Sequence, residues 1–458
     1  MSDFKGISQG EVAPETAIKA EIRARDPLNS PQAGAAGAAT AQPPRDSWKR
    51  LAPMVVAYAM GTFNDNFFKQ TVLFLAIAAG LDTIQSLGTV FYALPFVVCS
   101  AWAGWVADRV PKQRIMFWAK ALEVLAALVG ALSLYYMSFA GMVSMIFIMA
   151  VQSTLFSPAI NGAIPENFTA AGVSTANAVL KMSTTASVLC GIALAGAVLD
   201  LPELLAFLPA SVPFGHFAAG AVVIFTALIG LAATLFLPRQ PAPPSSQAPF
   251  PWLGAWDSLR HSREFYGADL PLLLALCGEA FFYFMGALIV LIINNLGINE
   301  YHLSQTHTGY LSAALMIGIC AGSLMAARVP AGRWRRSLMP GGLVMAATLL
   351  AVPAVTMLPG AAHFSGLVAL FVLTGAGGGF FLIPTVSFIQ IRPPANARGK
   401  TLGVSNFLSF CGVALSGVIF MPLSRLLPSW GIFVCGLITL FFMGLMFLQF
   451  RKCVEPGC

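Results

Sequence analysis

From residue 51 to residue 450 the chain is written in long apolar runs broken by short stretches of Gly, Pro and charge. A helix needs roughly 20 predominantly apolar residues to cross a bilayer. Runs of that order fall at about 51–79, 86–107, 114–138, 141–163, 174–200, 215–237, 269–296, 306–328, 336–358, 364–390, 400–425 and 430–450. The pattern predicts an all-α polytopic membrane protein with twelve transmembrane helices. The first run differs from the others because Thr62-Phe-Asn-Asp-Asn-Phe-Phe-Lys69 sits inside it. A charge at the middle of a membrane helix costs about 2.5–3.5 kcal/mol on insertion scales, so such a stripe marks a passage or a binding site within the membrane. Asp65 and Lys69 are spaced i, i+4, so they share one helix face and can pair.

Composition agrees with the pattern. Of 458 residues, 57% are hydrophobic and 10% charged, whereas a soluble domain sits nearer 45–50% and about 25%. The net charge of +7 follows the positive-inside rule and is not a nucleic-acid signal. Basic residues gather in alternate connections: Arg109, Lys112 and Arg114; Arg239, Arg260 and Arg263; Arg328, Arg333, Arg335 and Arg336; Arg392, Arg398 and Lys400; then Arg451 and Lys452. Arg425 is the exception among the intervening connections. Both termini are therefore expected in the cytoplasm. Cys99, Cys190, Cys277, Cys320, Cys411 and Cys435 fall inside apolar runs, where they behave as small apolar residues and suggest no disulfide framework.

The two halves repeat. Cys190-Gly-Ile-Ala-Leu-Ala-Gly196 returns as Cys411-Gly-Val-Ala-Leu-Ser-Gly417, and Asp65-Asn-Phe-Phe68 is echoed by Glu279-Ala-Phe-Phe282. The basic connection opened by Gly104 is matched by the one opened by Gly322, and all three offsets are close to 220 residues. The expected organisation is a disordered cytoplasmic tail at 1–50, a six-helix bundle at 51–237, a linker at 238–268, a second bundle at 269–450 and a tail at 451–458. Trp252, Trp256, Leu259 and Arg263 recur at helical spacing, so the linker reads as a helix lying in the membrane interface or as a plain tether. Parallel repeats of this kind characterise secondary transporters, with the site near the midplane between the halves.

The connection Gly104-Trp-Val-Ala-Asp-Arg-Val-Pro-Lys-Gln-Arg114 resembles the signature loop of the major facilitator superfamily, with Pro111 where glycine is usual. The resemblance implies a latch between the halves on the cytoplasmic side, formed by Gly104, Asp108, Arg109, Lys112 and Arg114. Gly104 is expected to let two helices approach closely. Asp108 is expected to face a helix N-terminal dipole, and Arg109 to pair across the loop.

Phe63-Asn-Asp-Asn-Phe-Phe-Lys69 further resembles the first-span motif of the lysophospholipid transporter branch, and Lys120-Ala-Leu-Glu123 resembles a Lys-x-x-Glu of its acyltransferase-fused members. Ser157-Pro158, Pro165-Glu166 and Ala176-Asn177 follow in the same order. Two positions depart from that branch: Ile160-Asn161 stands where Lys-Tyr is usual, and Lys181 stands where a glutamate is usual. The resemblance implies alternating-access movement of a lysophospholipid, such as lysophosphatidylethanolamine, toward the cytoplasmic leaflet of a bacterial inner membrane. No acyltransferase segment follows the twelfth span, so a functional link to an acyltransferase on a separate chain is expected, with the transporter itself a monomer.

Candidate substrate-binding residues are Asp65, Asn64, Lys69, Asn177, Lys181, Glu279, Lys120 and Glu123. Asp65 and Glu279 occupy matching places and are expected to face each other, binding a cationic head group or a proton; Lys69 and Lys181 suit a phosphate. Structural pairing of Asp65 with Lys69, and of Lys120 with Glu123, is the competing expectation. Asn294 and Asn295 suit either an entrance or a helix cap. Gly375-Ala-Gly-Gly-Gly379 with Pro384 suits either a bend or close packing. His302, His307 and His363 have no metal-ligand spacing. No nucleotide loop or catalytic arrangement is legible, so neither enzyme activity nor a cofactor is expected. A proton-coupled exporter and a non-transporting scaffold or sensor are the alternatives.

Overall fold

The computed structural model describes residues 47–201, 213–238, 250–252, 254, 260, 269–326, 329, 334–357, 362–393 and 398–452. The expected tail at 1–50 lies almost wholly outside the described residues, as does most of the linker helix.

Twelve long helices cross the described chain, each within a few residues of the apolar run that predicts it. They are α1 Trp48–Ala78, α2 Asp82–Ala107, α3 Lys112–Tyr135, α4 Phe139–Asn167, α5 Ala170–Leu199 and α6 Phe214–Leu235. The second set is α7 Leu270–Asn295, α8 Gln305–Ala326, α9 Arg335–Ala351, α10 Ala362–Ile391, α11 Arg398–Leu423 and α12 Pro428–Lys452. Eleven have the length and apolar composition to cross a membrane; α1, with its polar stripe, is the twelfth. Local chemistry fixes several starts. Ser138 accepts from the Gly141 N–H at 3.3 Å, Thr169 from Gly172 at 3.2 Å, and Asp269 from Leu272 at 3.1 Å, each satisfying an N–H that the helix leaves without a partner.

Helix packing recurs with a period of six helices. α1 packs on α5 as α7 packs on α11; α2 packs on α4 as α8 packs on α10; α3 packs on α6 as α9 packs on α12. The sets are joined chiefly by α2 with α11 and α5 with α8, with a smaller contact between α1 and α7. The repeated Cys-Gly-x-Ala-Leu-x-Gly segments explain part of this. A Cβ on Gly191 would lie 2.9 Å from Phe63 O and 3.0 Å from Phe67 N of α1, and one on Gly412 would lie 2.6 Å from Ala280 O of α7. The first glycine of each copy thus seats a helix of its own set. The second, Gly196 or Gly417, lies against backbone of the opposite set, at Gln305 and Ser86.

Apolar cores flank a polar middle layer. In the first six helices one cluster holds Leu51, Met54, Met116, Ala119 and Phe156, and another holds Phe67, Phe68, Ala126, Ala127 and Met145. Lys120 and Glu123 sit between them, buried to 1% and 0% exposure. α10 is one uninterrupted helix, and its glycines serve close packing: a Cβ on Gly377 would lie 2.7 Å from Gly341 O of α9.

Candidate functional site

A cavity of about 1270 Å³ lies between the two sets of helices. Its wall on the first set carries Tyr58 and Asp65 of α1, a stripe of Ser153, Ser157 and Asn161 on α4, and Lys181 and Thr184 on α5. The facing wall carries Glu279 and Tyr283 of α7 and Ser405, Asn406 and Ser409 of α11. Phe96, Phe156, Phe407 and Phe410 add an apolar surface, with the Phe96 and Phe410 rings stacked across the α2–α11 seam at 3.9 Å.

The two carboxylates are held alike. Ser153 Oγ donates to Asp65 Oδ2 at 2.7 Å, while the second oxygen, Oδ1, is buried and has no hydrogen-bond partner. Ser405 Oγ donates to Glu279 Oε2. Among the described residues neither carboxylate is in an ion pair. Each acid of the repeat thus lines one shared cavity, beside a serine from another helix.

The expected Asp65–Lys69 pair does not form. The Lys69 ammonium lies 4.5 Å from the centroid of the Tyr92 ring on α2, outside the cavity wall. The Lys120–Glu123 pair does form, at 2.5 Å, and Asn64 Nδ2 donates to the other Glu123 oxygen at 3.3 Å. Lys120 also reaches the cavity wall, with its ammonium 4.8 Å from the Phe156 ring centroid. Gly61 on α1 leaves room for the pair: a Cβ there would lie 3.2 Å from Glu123 Oε2. Asn64 itself is fully buried and turned toward α3 and α6, where it also donates to Val223 O at 3.2 Å. Asn177 is exposed away from the cavity, and Ile160 packs into the apolar core.

The cavity reaches Gly104 and Asp108 at the end of α2 and Gln390, Leu402 and Gly403 near the facing helix ends. It is open at the end that carries the signature loop. A Cβ on Gly104 would meet nothing within 4 Å, and the same is true of Gly403. The close approach expected at Gly104 is absent among the described residues. Asp108 and Arg114 are exposed. The Arg109 guanidinium lies 3.9 Å from the Trp105 ring centroid and donates to Trp105 O at 3.2 Å. Lys112 is paired with Glu166 at the end of α4.

The opposite end is sealed by polar contacts between the sets. Gln70 of α1 donates to Asn294 Oδ1 of α7 at 2.7 Å, and Asn295 donates to Gln85 Oε1 of α2 at 2.9 Å. Ser86 donates to Gly417 O at 2.5 Å, and Asp200 accepts from both the N–H and the hydroxyl of Thr306. Asn294 and Asn295 are therefore parts of this closure, not an open entrance.

Sequence reading missed the α4 stripe and the α11 serines. The signal on α4 is the i, i+4, i+8 spacing of Ser153, Ser157 and Asn161, and on α11 the i, i+4 spacing of Ser405 and Ser409.

The comparisons with known proteins agree with this arrangement. The chain is 25% identical over 372 residues to a protein named lysophospholipid transporter LplT from Shigella sonnei (strain Ss046), covering 78% of this chain and 84% of that protein. The same figures hold for LplT of Escherichia coli (strain K12 / DH10B). Among solved structures, a POT family transporter in complex with 5-aminolevulinic acid superimposes with a TM-score of 0.69 at 12% identity, over 90% of this chain and 99% of that one. A bacterial homolog of the human lysosomal transporter Spinster superimposes with a TM-score of 0.63 at 16% identity, over 90% of this chain and all of that one. The Major Facilitator Superfamily profile matches residues 51–417; with twelve long helices, the duplicated packing and a central cavity, the chain belongs to the major facilitator superfamily of membrane transporters.

Proposed function

We propose that this transporter moves a lysophospholipid-like amphiphile by alternating access between bundles 51–237 and 269–450. The observation that carries the reading is a cavity lined at once by Asp65, Glu279, Lys181 and several phenylalanines. Its volume of about 1270 Å³ exceeds the roughly 300–1,000 Å³ of an ordinary small-molecule site. A zwitterionic head group needs both signs of charge, and an acyl chain needs an apolar wall. Asp65 and Glu279 hold the cationic group, Lys181 holds the phosphate, and the face around Phe96 and Phe410 takes the chain.

With the basic connections in the cytoplasm, both termini are cytoplasmic and the cavity faces inward. The protein resides in the inner membrane of a bacterium as a monomer and delivers its substrate to the cytoplasmic leaflet, where an acyltransferase on a separate chain uses it. The similarity to LplT proteins supports this substrate class.

The test is saturable binding of lysophosphatidylethanolamine to the purified protein in nanodiscs, beside Asp65→Asn and Lys181→Ala. Binding that either substitution weakens supports the assignment; a folded protein that binds none of this lipid refutes it. One observation favours a second reading, proton-coupled export of a small molecule. Among the described residues Asp65 and Glu279 lack an ion-pair partner, the state expected of a group that takes up and releases a proton. Uptake into proteoliposomes that follows an imposed pH gradient selects that reading.

A further inference from the structure

Four described residues of the linker between the bundles are seated on the end of α2. Trp102 Nε1 donates to Pro251 O at 2.9 Å. The Phe250 ring stacks on Trp102 with centroids 6.1 Å apart and meets Trp105 edge-on at 5.2 Å. Trp252 meets Phe250 edge-on at 4.7 Å, with 80% of its own surface exposed. Gly254 lies directly on Ala101, so closely that a Cβ at Gly254 would fall on the Ala101 methyl.

This seat is inside the open mouth. Pro251 and Gly254 line the cavity together with Ala101, Gly104 and Asp108, and Leu402 and Gly403 line it from the other side. Among the described residues the space beside Gly104 and Gly403 is empty, since a methyl group on either would meet nothing within 4 Å. If the transporter alternates, that space vanishes when the ends of α2 and α11 come together, and the linker residues lie within it.

We propose that Phe250, Pro251, Trp252 and Gly254 form a strap that walls the substrate passage at the mouth and must leave its seat on α2 each time the mouth closes. This rests on the transport reading above. The hold suits such a device, because it is made at the end of α2 through ring contacts and a hydrogen bond while Trp252 stays exposed. A passive tether needs no aromatic seat, and its residues would have no reason to line the cavity. An amphiphile leaving for the inner leaflet passes this strap, and the indoles of Trp102 and Trp105 give it an apolar surface with polar edges.

The test uses the full chain with its eight native cysteines replaced. Trp102→Cys and Phe250→Cys are bridged by a short bismaleimide, with each single-cysteine variant treated identically. Bridging is expected to lower lysophosphatidylethanolamine uptake about tenfold or more relative to the treated single variants, while binding in nanodiscs is retained. Uptake that survives complete bridging overturns the strap. A second readout needs no substrate: bimane on Trp252→Cys, quenched by the indoles of Trp102 and Trp105. Asn294→Ala, which breaks the seal at the far end, is expected to brighten it as the mouth closes; unchanged emission overturns the proposal. If the parent protein neither binds nor moves lysophospholipid, the substrate assignment fails, and the bimane signal still decides the strap.

Discussion

The Gln70 side-chain amide of α1 donates to Asn294 Oδ1 of α7 at 2.7 Å, and both residues are buried, at 1% and 0% exposure. This bond crosses the seam between the bundles at the end away from the cavity mouth. Ser312 donates to the same oxygen at 3.3 Å, so Asn294 collects two donors. Asn294→Ala leaves Gln70 buried without its partner, which costs about 1–3 kcal/mol in the sealed state and nothing once water enters. The variant is therefore expected to shift toward the form open at this end by roughly tenfold. Labelling of a cavity cysteine at Thr184 by an impermeant maleimide added from that side measures the shift. Unchanged labelling would remove these amides from the gate.

The Lys120–Glu123 pair yields a separate prediction. Removing one member of a buried pair costs about 3–5 kcal/mol, whereas replacing both by apolar groups of similar size is often neutral. Lys120→Met alone is expected to lower the thermal unfolding midpoint sharply, because Glu123 is 0% exposed and loses its cation. Lys120→Met with Glu123→Leu is expected to recover most of that loss and to retain lysophospholipid uptake. Recovery of stability with loss of uptake would instead place Lys120 in the substrate's path.

Which residues the sequence could locate follows from helix geometry. The twelve helices were legible because a span is defined by length and apolarity, and even α1 was recognisable despite its polar stripe. Azimuth was not legible. Successive helix residues are about 100° apart, so adjacent polar residues diverge: Asn64 turns to Glu123 while Asp65 turns to Ser153. Lys69 shares a face with Asp65, yet its long side chain reaches the Tyr92 ring instead. Glu279 was found through the repeat, since a duplicated position inherits the same azimuth. Asn177 had no such support, and it lies outside the wall.

That difference in azimuth predicts a contrast within one motif. Hydrogen bonds to charged groups are worth about 1.5–3 kcal/mol, roughly 10- to 150-fold in affinity. Asp65→Asn and Glu279→Gln are each expected to weaken lysophosphatidylethanolamine binding by that order. Lys69→Met and Asn177→Ala are expected to leave it unchanged, since neither residue lines the cavity. Titrations of the four variants in nanodiscs check the ranking, and an effect of Lys69→Met as large as that of Asp65→Asn contradicts it.

The paired glycines tie the acids to the packing that holds them. A Cβ on Gly191 would lie 2.9 Å from Phe63 O and 3.0 Å from Phe67 N, and Asp65 stands between those two residues on α1. Backbone atoms cannot swing aside as a side chain can, so Gly191→Leu must push α1 away from α5. Overpacking of this kind costs about 1–3 kcal/mol, and here it also moves Asp65 away from Ser153. Gly412→Leu presses on Ala280 O, one residue from Glu279, and repeats the effect on α7. Each variant is expected to lower the thermal midpoint and to weaken substrate binding together. Cys190→Ser, at the exposed neighbouring position, is expected to change neither. Lowered stability with full affinity in both glycine variants would show that the carboxylates do not depend on these helix contacts for their place in the cavity.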